Sequence, residues 1–201
     1  MDFSVLKKSL ESRGYRVSLH ENSEAATSYL KNEINGKTVG FGGSVTLDKM
    51  GVYEALAENN DCYWHWRTRD GKTAKDLRDG GNSAEIYLSS VNGIAETGEI
   101  INIDGTCNRV AATRYGHRRV ILLVGRNKLA ATEAEAIARA RNVAAPKNAQ
   151  RLGMKTPCAV KGDRCYDCKS EQRICRALTV LWEKPMGTDM EIVLINEELG
   201  Y

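Results

Sequence analysis

Apolar and polar positions alternate along this chain with two periods in turn. Residues 4–13 (SVLKKSLESR) carry apolar groups at helical spacing, which predicts an amphipathic helix. Tyr15–His20 then alternates as a short strand, and Asn22 is placed to cap a second helix running through Ile34. Thr38–Phe41 is a brief apolar strand that enters Gly42-Gly43-Ser44 and then a helical pattern, TLDKMGVYEALAEN. Cys62–Trp66 predicts a strand and Thr73–Arg78 a short helix. Ala84–Ser90 and Ile100–Ile103 are β-rich runs, separated by a turn at Glu96-Thr97-Gly98. Arg119–Gly125 (RVILLVG) is continuously apolar, as in a strand buried on both faces. Thr132–Val143 predicts a capped helix, and Leu178–Glu183 and Glu191–Asn196 two closing strands.

Strands alternating with helices predict an α/β fold with a mostly parallel sheet. No repeat, low-complexity tract or linker divides the chain, so residues 1–201 are expected to form one domain. The segment from about 156 to 176 has no apolar periodicity and is expected to be an excursion ordered by whatever its cysteines bind.

Composition narrows the function classes. At 42% hydrophobic and 27% charged, this is the balance of a soluble globular protein. The net charge of +3 is spread without a basic stripe, so no nucleic acid partner is expected. No apolar run approaches the roughly 18 residues of a membrane helix, and MDFSVLKKSLESRGYRV has no signal-peptide pattern. The expected location is cytoplasmic, where clustered cysteines read as metal ligands or redox groups rather than disulfides.

Four of the six cysteines fall in TPCAVKGDRCYDCKSEQRIC: Cys158, Cys165, Cys168 and Cys175, spaced C-x6-C-x2-C-x6-C. Four thiolates satisfy either a [4Fe–4S] cluster or a tetrahedral zinc ion, and either would order a loop that lacks its own core. The spacing matches neither the paired zinc knuckle nor the compact ferredoxin run. Metal binding is expected, with [4Fe–4S] preferred and zinc as the alternative. Cys62 reads as a core residue, and Cys107 lies in a glycine-containing loop.

Two loops are candidates for a ligand. Gly42, Gly43 and Ser44 lie between a strand and a helix, where glycine lets a backbone approach an anion and the Ser44 and Thr46 hydroxyls add donors. The alternative is a tight turn with a serine cap. In Ser90–Ala112, the residues Asn92, Glu96, Asn102, Asp104, Thr106, Asn108 and Arg109 gather around a strand end. Asp104 is the candidate general base there, or a simple turn residue paired with Arg109. Asn127 and Lys128 follow the strongest strand, where they would bind an anionic substrate or cap the next helix. His117 lies in a basic turn and is expected to be solvated; His65 alternates with Trp64 and Trp66.

TVGFGGSVTLDKMGVYEAL, SVNGIAETGEIINIDGTCNRVAA, VILLVGRNK and RNVAAPKNAQRLGMKTPC resemble the LUD-domain (lactate-utilisation) family, from about residue 36 to the C-terminus. The resemblance implies a three-layer α/β/α sandwich similar to ribose-5-phosphate isomerase, glucosamine-6-phosphate deaminase and coenzyme A transferases. It also implies a link to lactate oxidation beside redox partner proteins that carry iron–sulfur or flavin groups. Many members lack the cysteine segment, so the quartet marks a subgroup, and lactate is not carried over to it directly. SVNGIAETGEIINIDGT is more distantly similar to methylthioribose-1-phosphate isomerase, whose catalytic Asp matches Asn92. An amide cannot transfer that proton, which would leave Asp104 or Glu96 to do so.

The expected function is therefore a metal-containing enzyme or redox subunit acting on a small anionic organic acid, with catalytic residues among Asn92, Glu96 and Asp104. Its substrate would be held by Gly42, Gly43, Ser44, Thr106, Asn108, Arg109, Asn127 and Lys128. The rivals are a zinc-stapled binding or assembly module, and a sugar-phosphate isomerase or coenzyme A transferase. A homo-oligomer remains open, and no membrane partner is expected.

Overall fold

The computed structural model describes residues 3–69 and 71–201. In chain order the elements are α1 (Ser4–Ser12), β1 (Arg16–His20), α2 (Ser23–Glu33), β2 (Thr38–Phe41), α3 (Val45–Lys49), α4 (Val52–Ala57) and β3 (Asp61–Tyr63). There follow α5 (Ala74–Asn82), β4 (Ile86–Ser90), β5 (Gly93–Ala95), β6 (Ile100–Asp104), α6 (Asn108–Ala112) and β7 (Arg119–Gly125). β8 (Leu129–Ala130), α7 (Glu133–Arg139), α8 (Ala145–Arg151), α9 (Pro157–Lys161), β9 (Ala177–Leu181) and β10 (Asp189–Ile195) complete the chain.

Six strands form one all-parallel sheet in the order β1-β10-β7-β4-β2-β3. The period-two alternation of side chains divides each central strand between two cores. Ile121, Leu123, Val193 and Ile195 face the layer containing α2, α3 and α4. Val120, Leu122, Val124, Ile192 and Leu194 face the opposite layer, with Leu6 and Leu10 of α1. The result is the expected three-layer α/β/α sandwich, and RVILLVG is buried on both faces.

A second, four-stranded sheet was not anticipated. Its order is β8-β5-β6-β9, with β6 antiparallel to both β5 and β9. β4 and β7 each run beyond the main sheet and continue into it as β5 and β8. Asp104 therefore ends a strand of this second sheet rather than of the parallel one. Alternation alone does not reveal such a sheet, because β5 and β8 are only three and two residues long.

Other boundaries differ for local reasons. The pattern after Ser44 is two short helices, because Gly51 takes a left-handed φ of 64°. α5 starts with a capping box between Thr73 and Asp76 and runs on through Gly80 and Gly81, poor helix formers that let it settle on β2 and β3. The helix expected to stop at Val143 continues through a π-helical turn at Ala140–Ala144 into α8. Pro146 would clash with the carbonyl four residues earlier in a regular helix, and the widened turn relieves this. In the cysteine segment α9 packs against α8, and Arg176 N donates to Asp104 O at 2.9 Å. His117 is buried rather than solvated: its ring stacks on Tyr87, and Nδ1 lies 2.7 Å from Ala84 O. No helix among the described residues is long and apolar enough to cross a membrane.

Candidate functional site

Because the main sheet is parallel, its strands deliver their carboxyl ends to one edge, where open α/β sheets bind ligands. A cavity of about 320 Å³ lies there. β2 supplies Gly43, Ser44 and Thr46 to its wall. His65 and Trp66 follow β3, and Ser90 and Asn92 follow β4. Lys128 follows β7, and Asp104, Thr106, Asn108 and Arg109 arrive from the end of β6. The size is that of a small-molecule site, larger than a three-carbon acid alone requires.

Arg109 organises the polar wall. Its Nη1 donates to Ser90 O at 3.3 Å and to Asn102 Oδ1; its Nη2 donates to Ile103 O at 2.5 Å and Asn92 Oδ1 at 3.1 Å. Its Nε is 3.8 Å from Asp104 Oδ2. Burial pulls the guanidinium below its usual basicity, against the Asp104 charge. Asn92 Oδ1 also accepts from Ile103 N at 2.8 Å. Gly42 stands behind this fan: a β-carbon there would meet Ser89 Oγ at 2.8 Å and Arg109 Cγ at 3.0 Å. Gly42 therefore makes room for Arg109 rather than bordering the cavity.

Asp104 is held by its own loop. Oδ1 accepts from Cys107 N and Oδ2 from Val110 N, both at 3.2 Å. Ser44 Oγ accepts from Leu47 N at 3.4 Å, the cap of α3. Besides Gly42, two more expected residues lie off the cavity. Glu96 belongs to the turn beyond β5, where its N donates to Ala130 O at 2.8 Å. Asn127 holds the C-terminal stretch, accepting from Leu199 N at 3.1 Å.

Lys128 is 3% exposed, and its Nζ donates to Thr46 Oγ1 and Ser90 Oγ, each at 2.8 Å. Burial, then the positive charges of Arg139 and Arg109, drive its basicity well below that of an ordinary lysine. The cavity also takes Arg78, Arg151 and Tyr201 at its outer side. The Arg151 guanidinium lies 4.5 Å from the Trp66 ring centroid. His65 is pushed down to about 4, by burial first and then by Arg78. Sequence reasoning did not single out Arg78, Arg139 or Arg151, because isolated arginines in helices look like solvated surface.

The four cysteines converge. Cys158, Cys165, Cys168 and Cys175 all border one small cavity of about 10 Å³, and all are free thiols. The π-helical turn aims Arg141 at this place, with Nη2 3.8 Å from Cys165 Sγ and 3.2 Å from Asp167 Oδ1. Cys165 Sγ accepts from Asp167 N at 3.3 Å, and Arg173 braces the Cys168 and Cys175 carbonyls at 2.9 Å each. Soft donors, nearby guanidinium groups and an N–H···S bond suit a thiolate-bound metal group. Among the described residues, however, no three His, Cys, Asp or Glu side chains stand together at metal-ligating distance. The donor set and its convergence fit; ligation would require the thiols to close inward.

The two cavities share a wall, since Ala145 and Ile174 border both.

Fold and site together define a three-layer α/β/α protein with a polar pocket at the carboxyl edge of its parallel sheet. The model of the LUD domain matches residues 3–195, and the chain belongs to that family. The match begins well before residue 36, where the resemblance was placed, and takes in α1 and β1. A crystal structure of a DUF162 family protein from Deinococcus radiodurans aligns with a TM-score of 0.52 and 12% identity, over 97% of this chain and 99% of that one. At that identity the likeness concerns the fold. The search of curated proteins gave no match.

Proposed function

We propose that this chain binds a small organic acid in the pocket at the sheet edge and carries an iron–sulfur cluster on Cys158, Cys165, Cys168 and Cys175. It would act as an enzyme or redox subunit in lactate-type metabolism in the cytoplasm. The carrying observation is the shared wall: Ala145 and Ile174 border both the thiol cavity and the sheet-edge pocket. When bound, the cluster would supply one-electron redox chemistry. The chain's own residues would attract and orient the acid. Arg78, Arg109, Lys128 and Arg151 border the pocket, and among the described residues Asp104 is the one acidic residue beside them. Arg109 has its Nη donors committed to the protein and shapes the pocket, so a carboxylate would be met by Arg78 and by Arg151, whose Nε and Nη2 also donate to Asn148 Oδ1 at 3.1 and 2.9 Å.

A thermal-shift titration of anaerobically prepared protein tests the ligand class. A 2-hydroxy acid or 2-oxo acid is expected to raise Tm. A rise with sugar phosphates alone would favour isomerase-type chemistry, and no rise with any carboxylic acid would remove this reading.

One observation favours a second reading. The thiol cavity, at about 10 Å³, has room for a single water-sized sphere. A zinc ion that staples α9, through Cys158, to the loop carrying Cys165, Cys168 and Cys175 needs no more space than that. One zinc per chain without sulfide would select it.

A further inference from the structure

We propose that Lys128 is an amine nucleophile that captures the carbonyl group of a 2-oxo acid as a Schiff base within this pocket. The inference deepens the organic-acid reading and rests on it.

The hydrogen bonds around Nζ have a definite direction. Ser90 Oγ gives its proton to Leu123 O at 2.5 Å, and Thr46 Oγ1 gives its own to Leu199 O at 3.2 Å. Both hydroxyls are therefore acceptors toward Nζ, at 2.8 Å each. An uncharged amine has two N–H groups, which these two acceptors use. The remaining tetrahedral position of Nζ then carries a lone pair.

The surroundings favour that protonation state. Among the described residues no carboxylate pairs with Lys128, and the charges that bear on it are the guanidinium groups of Arg109 and Arg139. Arg139 is itself fixed, donating from Nε to Asn127 O at 2.8 Å and from Nη1 to Asn92 O at 2.5 Å. A desolvated lysine beside fixed cations is the arrangement that makes an amine nucleophilic near neutral pH. Arg78 and Arg151, on the wall of the same cavity, favour a carbonyl compound that carries a carboxylate.

The step balances within the pocket. The Nζ lone pair attacks the carbonyl carbon, forming C–N, while the C=O π pair moves to oxygen. One proton passes from nitrogen to that oxygen, giving a carbinolamine. The C–O bond then breaks, the second nitrogen proton leaves with the oxygen as water, and a C=N bond remains. Both protons come from the amine itself, so Ser90 Oγ and Thr46 Oγ1 keep their own protons on Leu123 O and Leu199 O and hold Nζ in place.

The test treats the full chain with pyruvate as the probe and sodium cyanoborohydride as the trap, followed by peptide mass mapping. One reduced adduct per chain is expected, on Lys128, and Lys128→Met should lose it. Adducts spread over exposed lysines, with none on Lys128, would overturn the proposal. If pyruvate raises Tm yet no adduct forms, the Schiff base falls and the acid-binding reading stands. If neither occurs, both fall. Should Lys128→Met fail to fold, the map of the unmodified chain decides alone.

Discussion

The backbone carbonyl of Ile174 presses on Gly105 so closely that a β-carbon there would come within 2.7 Å of it. Gly105 follows Asp104 on the pocket loop, and Ile174 precedes Cys175. The sheet-edge pocket and the cysteine segment are thus joined by a contact that has no slack.

Gly105→Ala should therefore disturb both sites at once. Forcing the carbonyl away is expected to cost about 1–3 kcal/mol of stability. The accompanying sign is a loss of metal occupancy together with weakened acid binding. Calorimetry, metal analysis and a ligand titration on the same preparation check this. An effect confined to one site would show that the wall does not couple them.

Lys128→Met should separate stability from function. Ser90 and Thr46 keep their own acceptors, Leu123 O and Leu199 O, after Nζ is removed. The variant also no longer buries an amine among cations, so its Tm should be equal or higher. Binding of a 2-oxo acid should fall at least about tenfold, roughly 1.4 kcal/mol. Denaturation curves and a binding isotherm measure the two quantities side by side.

Arg109→Lys should be severely destabilising despite keeping the charge. One ammonium cannot replace donors that reach Ser90 O, Ile103 O, Asn92 and Asn102. Leaving these buried acceptors unpaired is expected to cost about 3–5 kcal/mol, read from urea unfolding.

Lowering the pH should reduce stability before the carboxylates titrate. His20, His65 and His117 are all held below their ordinary basicity, by burial first in each case. The unfolded chain then binds protons that the folded chain refuses, so stability declines as pH falls through the ordinary histidine range, from about 7 to 5. For His65 the penalty extends to about 4, where the folded ring itself charges. Urea midpoints across this range check the slope, and His117→Phe, which keeps the stacking on Tyr87, should show a smaller decline.

Much of this arrangement was legible in the residues. RVILLVG, with five consecutive apolar side chains from Val120 to Val124, is a strand buried on both faces, and that one run places the centre of the sheet. The polar cluster from Asn92 to Arg109 marked the pocket because a strand end concentrates such groups. Their detailed assignments were not legible. Asn92 serves as a bracket for Arg109, and Asp104 closes its own loop, since hydrogen-bond direction depends on the folded geometry. Glu96 falls outside the pocket because β5 was too short to detect, and its turn carries Glu96 away. Lys128 read as an anion-binding residue or a helix cap; its burial between Ser90 and Thr46 was not legible. The second sheet arises from tertiary packing, which local periodicity does not encode, and the π-helical turn follows from Pro146, which apolar spacing alone does not flag.

The central claim is that the four cysteines hold an iron–sulfur cluster against the acid pocket. Iron and acid-labile sulfide in protein purified without oxygen, beside a Cys165→Ser/Cys168→Ser variant, test it most directly. The expected result is about four irons and four sulfides per chain, with visible charge-transfer absorbance that the variant loses. A colourless protein holding one zinc and no sulfide would contradict it.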